Sequence, residues 1–170
     1  MTTLTNSQRY FEDVQVGDEL TPLTRGPITT SHLMRWSAAI ENWHRIHYDS
    51  PFATEHDHLP TLLVNGSWKQ HFLVQMVRSW LGPQGWLASI DFSFRKMDLL
   101  GDTLTARGVV TDVYTRHGLG FVAADIGIWN PRDENSTPGR ALGVLPLRES
   151  EPVPYPFPEG DFTRPSPATT

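Results

Sequence analysis

Cysteine is absent from this 170-residue chain. Its absence excludes a disulfide framework, a thiolate nucleophile and a Cys-based zinc site. No apolar run approaches the roughly 20 residues that a membrane-spanning helix needs. The first nine residues, Met1 to Arg9, are polar and contain no apolar signal core. The expectation is a soluble cytoplasmic protein that makes no membrane contact. Long basic runs are missing as well, and the net charge is −5. That composition argues against a nucleic-acid platform. The length suits one domain with a real hydrophobic core, and hardly two.

Proline is unevenly spread. Pro152, Pro154, Pro156, Pro158, Pro165 and Pro167 all fall in the last twenty residues. Proline fixes φ and removes a donor, so residues 151–170 read as an extended or disordered tail, with Tyr155 and Phe157 able to pin its first half. Residues 1–9 read as a flexible N-terminus, and 10–150 as the domain.

Within the domain a helical half precedes a strand-rich half. Residues 19–28 suggest a short leading strand broken by Pro22 and Pro27. Thr29-Thr30-Ser31 offers an N-cap for a helix over 30–41, with Leu33, Met34 and Ala38 facing inward and Trp36 a further candidate. Ser50-Pro51 opens a second, short helix by the same logic. Residues 64–81 carry the clearest helical pattern. Trp68, Phe72, Met76 and Trp80 recur every fourth position, flanked by Leu73, Val77 and Leu81, with Lys69, Gln75, Arg78 and Ser79 off the stripe. Gly82-Pro83 ends it. Trp86, Ala88, Ile90, Phe92 and Phe94 then alternate with polar residues, as along a strand. Further strands are expected over 103–114, 119–129 and 141–148, joined by turns at Leu100-Gly101-Asp102 and Arg116-His117-Gly118 and by a polar loop over 130–139. Asp102 and Asp112 read as solvated strand-end charges. A long helix followed by an antiparallel meander makes an α+β domain.

The chemistry concentrates in one place. Asn42, His44, Arg45, His47, Tyr48 and Asp49 lie within eight residues, just after the first helix. Proton-transfer groups and hydrogen-bond donors gathered on one loop are what general acid/base catalysis requires. Bland alternatives exist for several of them. His44 can hold the loop by bonding a backbone carbonyl. Asp49 can serve as a helix N-terminal charge beside Ser50-Pro51. Arg45 can pair with a carboxylate or meet a phosphate. His56, Asp57 and His58 are adjacent and lack a third anchor, which is weak support for a metal, so no metal or other cofactor is expected.

With these residues in view, the chain resembles the MaoC-like hotdog dehydratases and (R)-specific enoyl-CoA hydratases. Its wording is closest to the mesaconyl-CoA-hydratase-like branch and the type 2 3-hydroxyacyl-thioester dehydratases. Their motif runs roughly Gly-Asp-x-Asn-Pro-hydrophobic-His, with an Ala further on. Here Glu41-Asn42-Trp43-His44-Arg45-Ile46-His47 stands in its place, with Ala53 after it. The family's catalytic His falls on His47, and its catalytic Asp falls on Asn42. Val64-Asn65-Gly66-Ser67 matches the His-Gly pair that opens the family's central helix, with Asn65 replacing the His. Residues 99–105 resemble the turn between two long strands. Phe11-Glu12-Asp13-Val14 with Val16-Gly17-Asp18 is similar to the family's opening.

The resemblance implies a single hotdog domain, a long central helix wrapped by an antiparallel sheet. It implies an acyl-CoA or carrier thioester as substrate, with no added cofactor. His47 would act as acid/base with Asn42 beside it, Gly66 and Asn65 would bind the thioester oxygen, and His44, Arg45 and Asp49 would support them. It also implies pairing with a second hotdog chain, as homodimer or heterodimer. Asparagine cannot take a proton at any useful pH, so two readings stay open. Either His47 works with Asn42, or the chain is a catalytically degenerate acyl-binding subunit whose partner supplies the acid. An acyl-thioester hydrolase is a third class on the same fold, but Lys69 and Gln70 stand where its carboxylate would be.

Overall fold

The apolar stripe over 64–81 becomes the helix around which everything else is arranged. A computed structural model describes residues 8–157 of the chain. In it α1 spans Thr30–Ala39 and α2 spans Gly66–Leu81, and five strands form one antiparallel sheet. They are β1 (Glu19–Arg25), β2 (Trp86–Phe92), β3 (Leu104–Arg116), β4 (Leu119–Trp129) and β5 (Gly139–Leu145). Their spatial order is β1-β3-β4-β5-β2. This is the expected α+β arrangement, with α2 lying across one face of the sheet. Only β3, β4 and β5 form a sequential meander. β2 leaves α2 and pairs with β5 at the far edge. Residues 1–7 and 158–170 lie outside the described residues, with most of the expected flexible N-terminus and the second part of the tail. No helix among the described residues is long and apolar enough to cross a membrane.

Phe72, Leu73, Met76, Val77, Trp80 and Leu81 bury against β1, β3, β4 and β5 through Leu23, Leu104, Ala106, Val110, Ile126, Ile128 and Leu145. Each such side chain contributes about 1.5–3 kcal/mol by leaving water. Gly82 ends α2 at φ +81°, where a side chain is disfavoured. The β3–β4 hairpin turns on His117 and Gly118, both at positive φ, as a two-residue turn matched to strand twist demands.

Four local expectations change. β1 runs through Pro22, because the proline sits at a register shift between Leu20 and Leu23 on an edge strand. The buried face of α1 is Leu33 and Ser37, while Met34 and Ala38 face outward. A register shift between Leu87 and Ser89 divides β2. Leu87, Ile90 and Phe92 therefore pack on the core, and Trp86 stacks instead with Phe157 and lies against Tyr155. Lys69 is not off the apolar stripe but 3% exposed, its Nζ 2.9 Å from the Asp98 carboxylate.

Candidate active site

α1 begins at a capping box. Thr29 accepts from the His32 amide, and His32 Nδ1 accepts from the Thr29 amide at 3.1 Å. The helix ends at Ala39, and Glu41 turns the chain at φ +54°. Asn42 then donates its backbone N–H to Ser37 O, and its Oδ1 accepts the His44 N–H at 3.1 Å. A 3-10 turn, Arg45–His47, follows. Arg45 donates from Nε and Nη2 to Asp49 Oδ2 at 2.9 and 2.6 Å, with its guanidinium over the Phe52 ring. Asp49 Oδ1 accepts the Phe52 N–H at the start of a five-residue π-helical turn, Phe52–His56. That single turn is what Ser50-Pro51 opens, in place of a regular helix. Arg45 holds the Asp49 carboxyl below its ordinary range, helped by the Phe52 amide.

His47 is the histidine that goes inside, at 6% exposure. Its Nδ1 lies 2.8 Å from Leu63 O. A carbonyl can only accept, so Nδ1 carries the proton and the neutral ring presents a bare Nε2. Nε2 has no partner among the described residues. Burial pushes the imidazole pKa below its ordinary value; the Leu63 bond opposes that shift, and His44 adds to it. The two rings stand 6.0 Å apart. At neutral pH the ring is therefore a base with its free nitrogen already oriented.

The same short segment that anchors His47 delivers the helix N-terminus. Leu63 N–H donates to Ile46 O at 3.0 Å, and Val64 N–H to Asp98 O at 2.8 Å. Asn65 follows as N-cap and Gly66 as first residue of α2. The Asn65 carbonyl accepts from Trp68 and Lys69. The amides of Gly66 and Ser67 have no acceptor among the described residues, as the first turn of a helix leaves them. The helix dipole makes that position attractive to developing negative charge. Asn65 is fully buried. Its Nδ2 reaches Ser37 Oγ at 3.3 Å, and its Oδ1 has no partner. A Cβ on Gly66 would stand 2.8 Å from the Phe94 ring.

Behind this turn lies a buried polar cluster. Lys69 Nζ donates to Asp98 Oδ2 and to Lys96 O at 3.2 Å. Asp98 also accepts from Ser136 Oγ at 2.6 Å and from Asn130 Nδ2 at 3.2 Å. Asp102 is mostly buried, held by both terminal nitrogens of Arg132 at 3.1 Å. It is not the solvated charge that the sequence suggests.

The structure thus fastens His47 to the short segment that carries Asn65 and Gly66. Asn42 is not hydrogen-bonded to His47; its side-chain oxygen is engaged by the His44 amide. The His44 side chain is exposed, and its ring makes no hydrogen bond among the described residues, so its hold on the loop is through backbone and not through the imidazole. Arg45 and Asp49 satisfy each other at the surface. Ser37 and Phe94 were missed by sequence reasoning. A serine four residues after Leu33, on the inward face of α1, was the available signal for the first. Nothing short of the fold brings Phe94 over Gly66.

Comparison with known proteins follows the same lines. The family described as hydroxyacyl-thioester dehydratase type 2 matches residues 6–102, which hold the loop, α2 and β2. No curated protein sequence was found to match. The R-hydratase PhaJ1 from Pseudomonas aeruginosa superposes with a TM-score of 0.73 at 17% identity, over 89% of this chain and 96% of that one. A MaoC-like dehydratase from Rhodospirillum rubrum superposes with a TM-score of 0.72 at 18% identity, over 84% and 99%. A chain of the ChsH1-ChsH2 complex from Mycobacterium tuberculosis superposes with a TM-score of 0.66 at 18% identity, over 77% and 98%.

Proposed function

The chain belongs to the hydroxyacyl-thioester dehydratase type 2 family, within the MaoC-like hotdog dehydratases, and from that membership we propose a hydro-lyase acting across the 2,3 bond of an acyl-CoA or carrier thioester. One observation carries the reading: a buried imidazole with its proton fixed on Nδ1 is fastened to the segment that ends in the unpaired Gly66 amide. In the hydration direction, His47 Nε2 removes a proton from water as the water oxygen bonds to C3. The π electrons move toward C2 and the thioester oxygen, where the Gly66 N–H stabilises the enolate. The imidazolium then returns its proton to C2. Dehydration is the reverse. One preorganised amide donor of this kind is worth about 3–4 kcal/mol in other enzymes.

Asn42 takes no proton in this scheme. With Oδ1 held by the His44 amide, its Nδ2 group is left to donate to the attacking water. The Asn65 side chain is not placed to donate to the thioester oxygen in this arrangement, because its Nδ2 is given to Ser37 Oγ and its Oδ1 can only accept, which leaves that role to the Gly66 amide. Hydrolysis of the thioester is disfavoured, because Lys69 on α2 is locked to Asp98 and the Asp98 carboxylate is filled by Lys69, Ser136 and Asn130.

Met34, Ile40, Trp43, Phe94 and Met97 leave apolar surface exposed, and β2 has a free edge. A second hotdog chain would cover such surface and close the acyl pocket. The missing bond between Asn42 and His47 favours a second reading, in which a partner hotdog chain supplies the acid. The test is turnover of a panel of trans-2-enoyl-CoA esters by the purified chain, with Asn42→Asp alongside and with a co-expressed Asp-bearing hotdog homologue. Activity of the lone chain supports the enzyme. Activity only with the homologue supports the subunit reading. Full hydratase activity in His47→Ala would contradict the role given to His47.

A further inference from the structure

The face of the sheet turned away from α2 holds a groove of about 760 Å³ that no part of the proposed chemistry uses. Ligand pockets typically fall between about 300 and 1,000 Å³. The alternation of the strands places it there. Ile126 and Ile128 of β4 point at α2, while Asp125 and Trp129 point the other way, as do Arg107 and Val109 of β3. Beyond β2 the chain keeps alternating, because Ser93 and Arg95 donate their amides to Pro138 O and Ser136 O. Phe94 therefore meets Gly66 on one face, and Arg95 lines the groove on the other.

Charge in the groove runs against the chain as a whole. Three guanidinium groups line it, Arg95, Arg107 and Arg140, against the two carboxylates Glu19 and Asp125. The Arg140–Asp125 pair, at 3.2 Å, accounts for one of each. Arg95 and Arg107 have no carboxylate within ion-pair distance among the described residues. The Arg107 guanidinium lies 5.4 Å over the Trp129 ring, making a flat cationic surface. Asn135 also lines the groove, and its buried Oδ1 has no hydrogen-bond partner.

We propose that this groove binds a nucleoside phosphate. Arginine suits phosphate because its planar fork gives two parallel charge-assisted bonds. The Arg107–Trp129 surface suits the flat face of a base. The ligand has two sources, a free nucleotide or the nucleotide end of a CoA thioester. The second source rests on the hydro-lyase reading; the site does not.

The experiment is calorimetric titration of the full chain with adenosine 3′,5′-bisphosphate, using wild type, Arg95→Ala, Arg107→Ala and Arg107→Gln. Thermal midpoints confirm that each variant folds. The expected result is saturable binding that weakens about tenfold or more in each variant, the scale of one charge-assisted hydrogen bond. It should also weaken with salt. No binding at millimolar nucleotide, or binding that the variants leave unchanged, overturns the proposal. Steady-state assays then separate the sources. A rise in KM for an enoyl-CoA but not for the matching enoyl-pantetheine thioester assigns the groove to the substrate's nucleotide. Unchanged KM values beside weakened titrations assign it to a free nucleotide. If no thioester is turned over, the hydro-lyase reading fails while the titration still decides the groove.

Discussion

His47 does two things that a surface histidine cannot do together. Its bond to Leu63 O fixes the tautomer, and its burial keeps the ring neutral. The pH dependence follows from the sign of that shift. With the folded pKa below the ordinary 6.5, the base form persists as pH falls past 6.5. The acid limb of kcat/KM for hydration should therefore lie below 6.5, as a pH–rate profile will reveal. Stability runs the same way. The unfolded chain takes up the proton first, so His47 costs stability as pH falls below 6.5, and His47→Gln should flatten that loss in denaturation measured across pH. Gly66 gives a second test at this scale. Gly66→Ala puts a methyl against the outer edge of the Phe94 ring, an exposed side chain that can swing aside, so the change in stability should stay below about 1 kcal/mol in urea denaturation. The same methyl stands beside the amide given to the thioester oxygen, so hydratase turnover should fall while the fold holds. His47 and Gly66 are singled out by their likeness to the family's motif, since residue type alone does not set His47 apart from the other histidines of the chain. The sequence hides the use made of Asn42. Whether that oxygen meets an imidazole or a backbone amide depends on how the loop folds back on α1.

Among the elements, α2 carries the most that sequence could not disclose. Its apolar stripe and its stop at Gly82 are plain from spacing. The burial of Lys69 is not, because a hydrophobic pattern assigns lysine to water and cannot see Asp98, 29 positions away. Asp98→Ala leaves the ammonium buried without its counter-charge, and should cost about 3–5 kcal/mol in chemical denaturation. Lys69→Met with Asp98→Leu should lose far less. The same cluster ties α2 to the segment after β2, so it also steadies the turn that presents Gly66. At α1 the N-cap was visible in Thr29-Thr30-Ser31, while the His32 half of the capping box was not, and Thr29→Ala should lower stability by about 1 kcal/mol. The divided face of β2 was not visible. A bulge inserts one residue and moves every later side chain across the sheet, and the sequence around Ala88 carries no mark of it.

At the scale of the molecule, the fold class and the central helix wrapped by a sheet were legible from the order of periodicities. The strand order was not, since β2 crosses to the far edge and only tertiary packing selects that route. The free edge of β2 and the exposed apolar surface from Met34 to Met97 set an expectation for solution. Light scattering on the purified chain, alone and with a co-expressed hotdog homologue, should find two hotdog domains per particle. A single-chain particle with full activity would contradict that.

The proposed chemistry turns on the single nitrogen that His47 leaves free. Incubating wild type and His47→Ala with the same trans-2-enoyl-CoA panel, and reading products by mass, tests it most directly. Wild type should yield a product one water heavier. The folded variant should fall at least about a hundredfold in rate, the usual weight of a general acid/base. Equal rates for the two proteins would contradict the account.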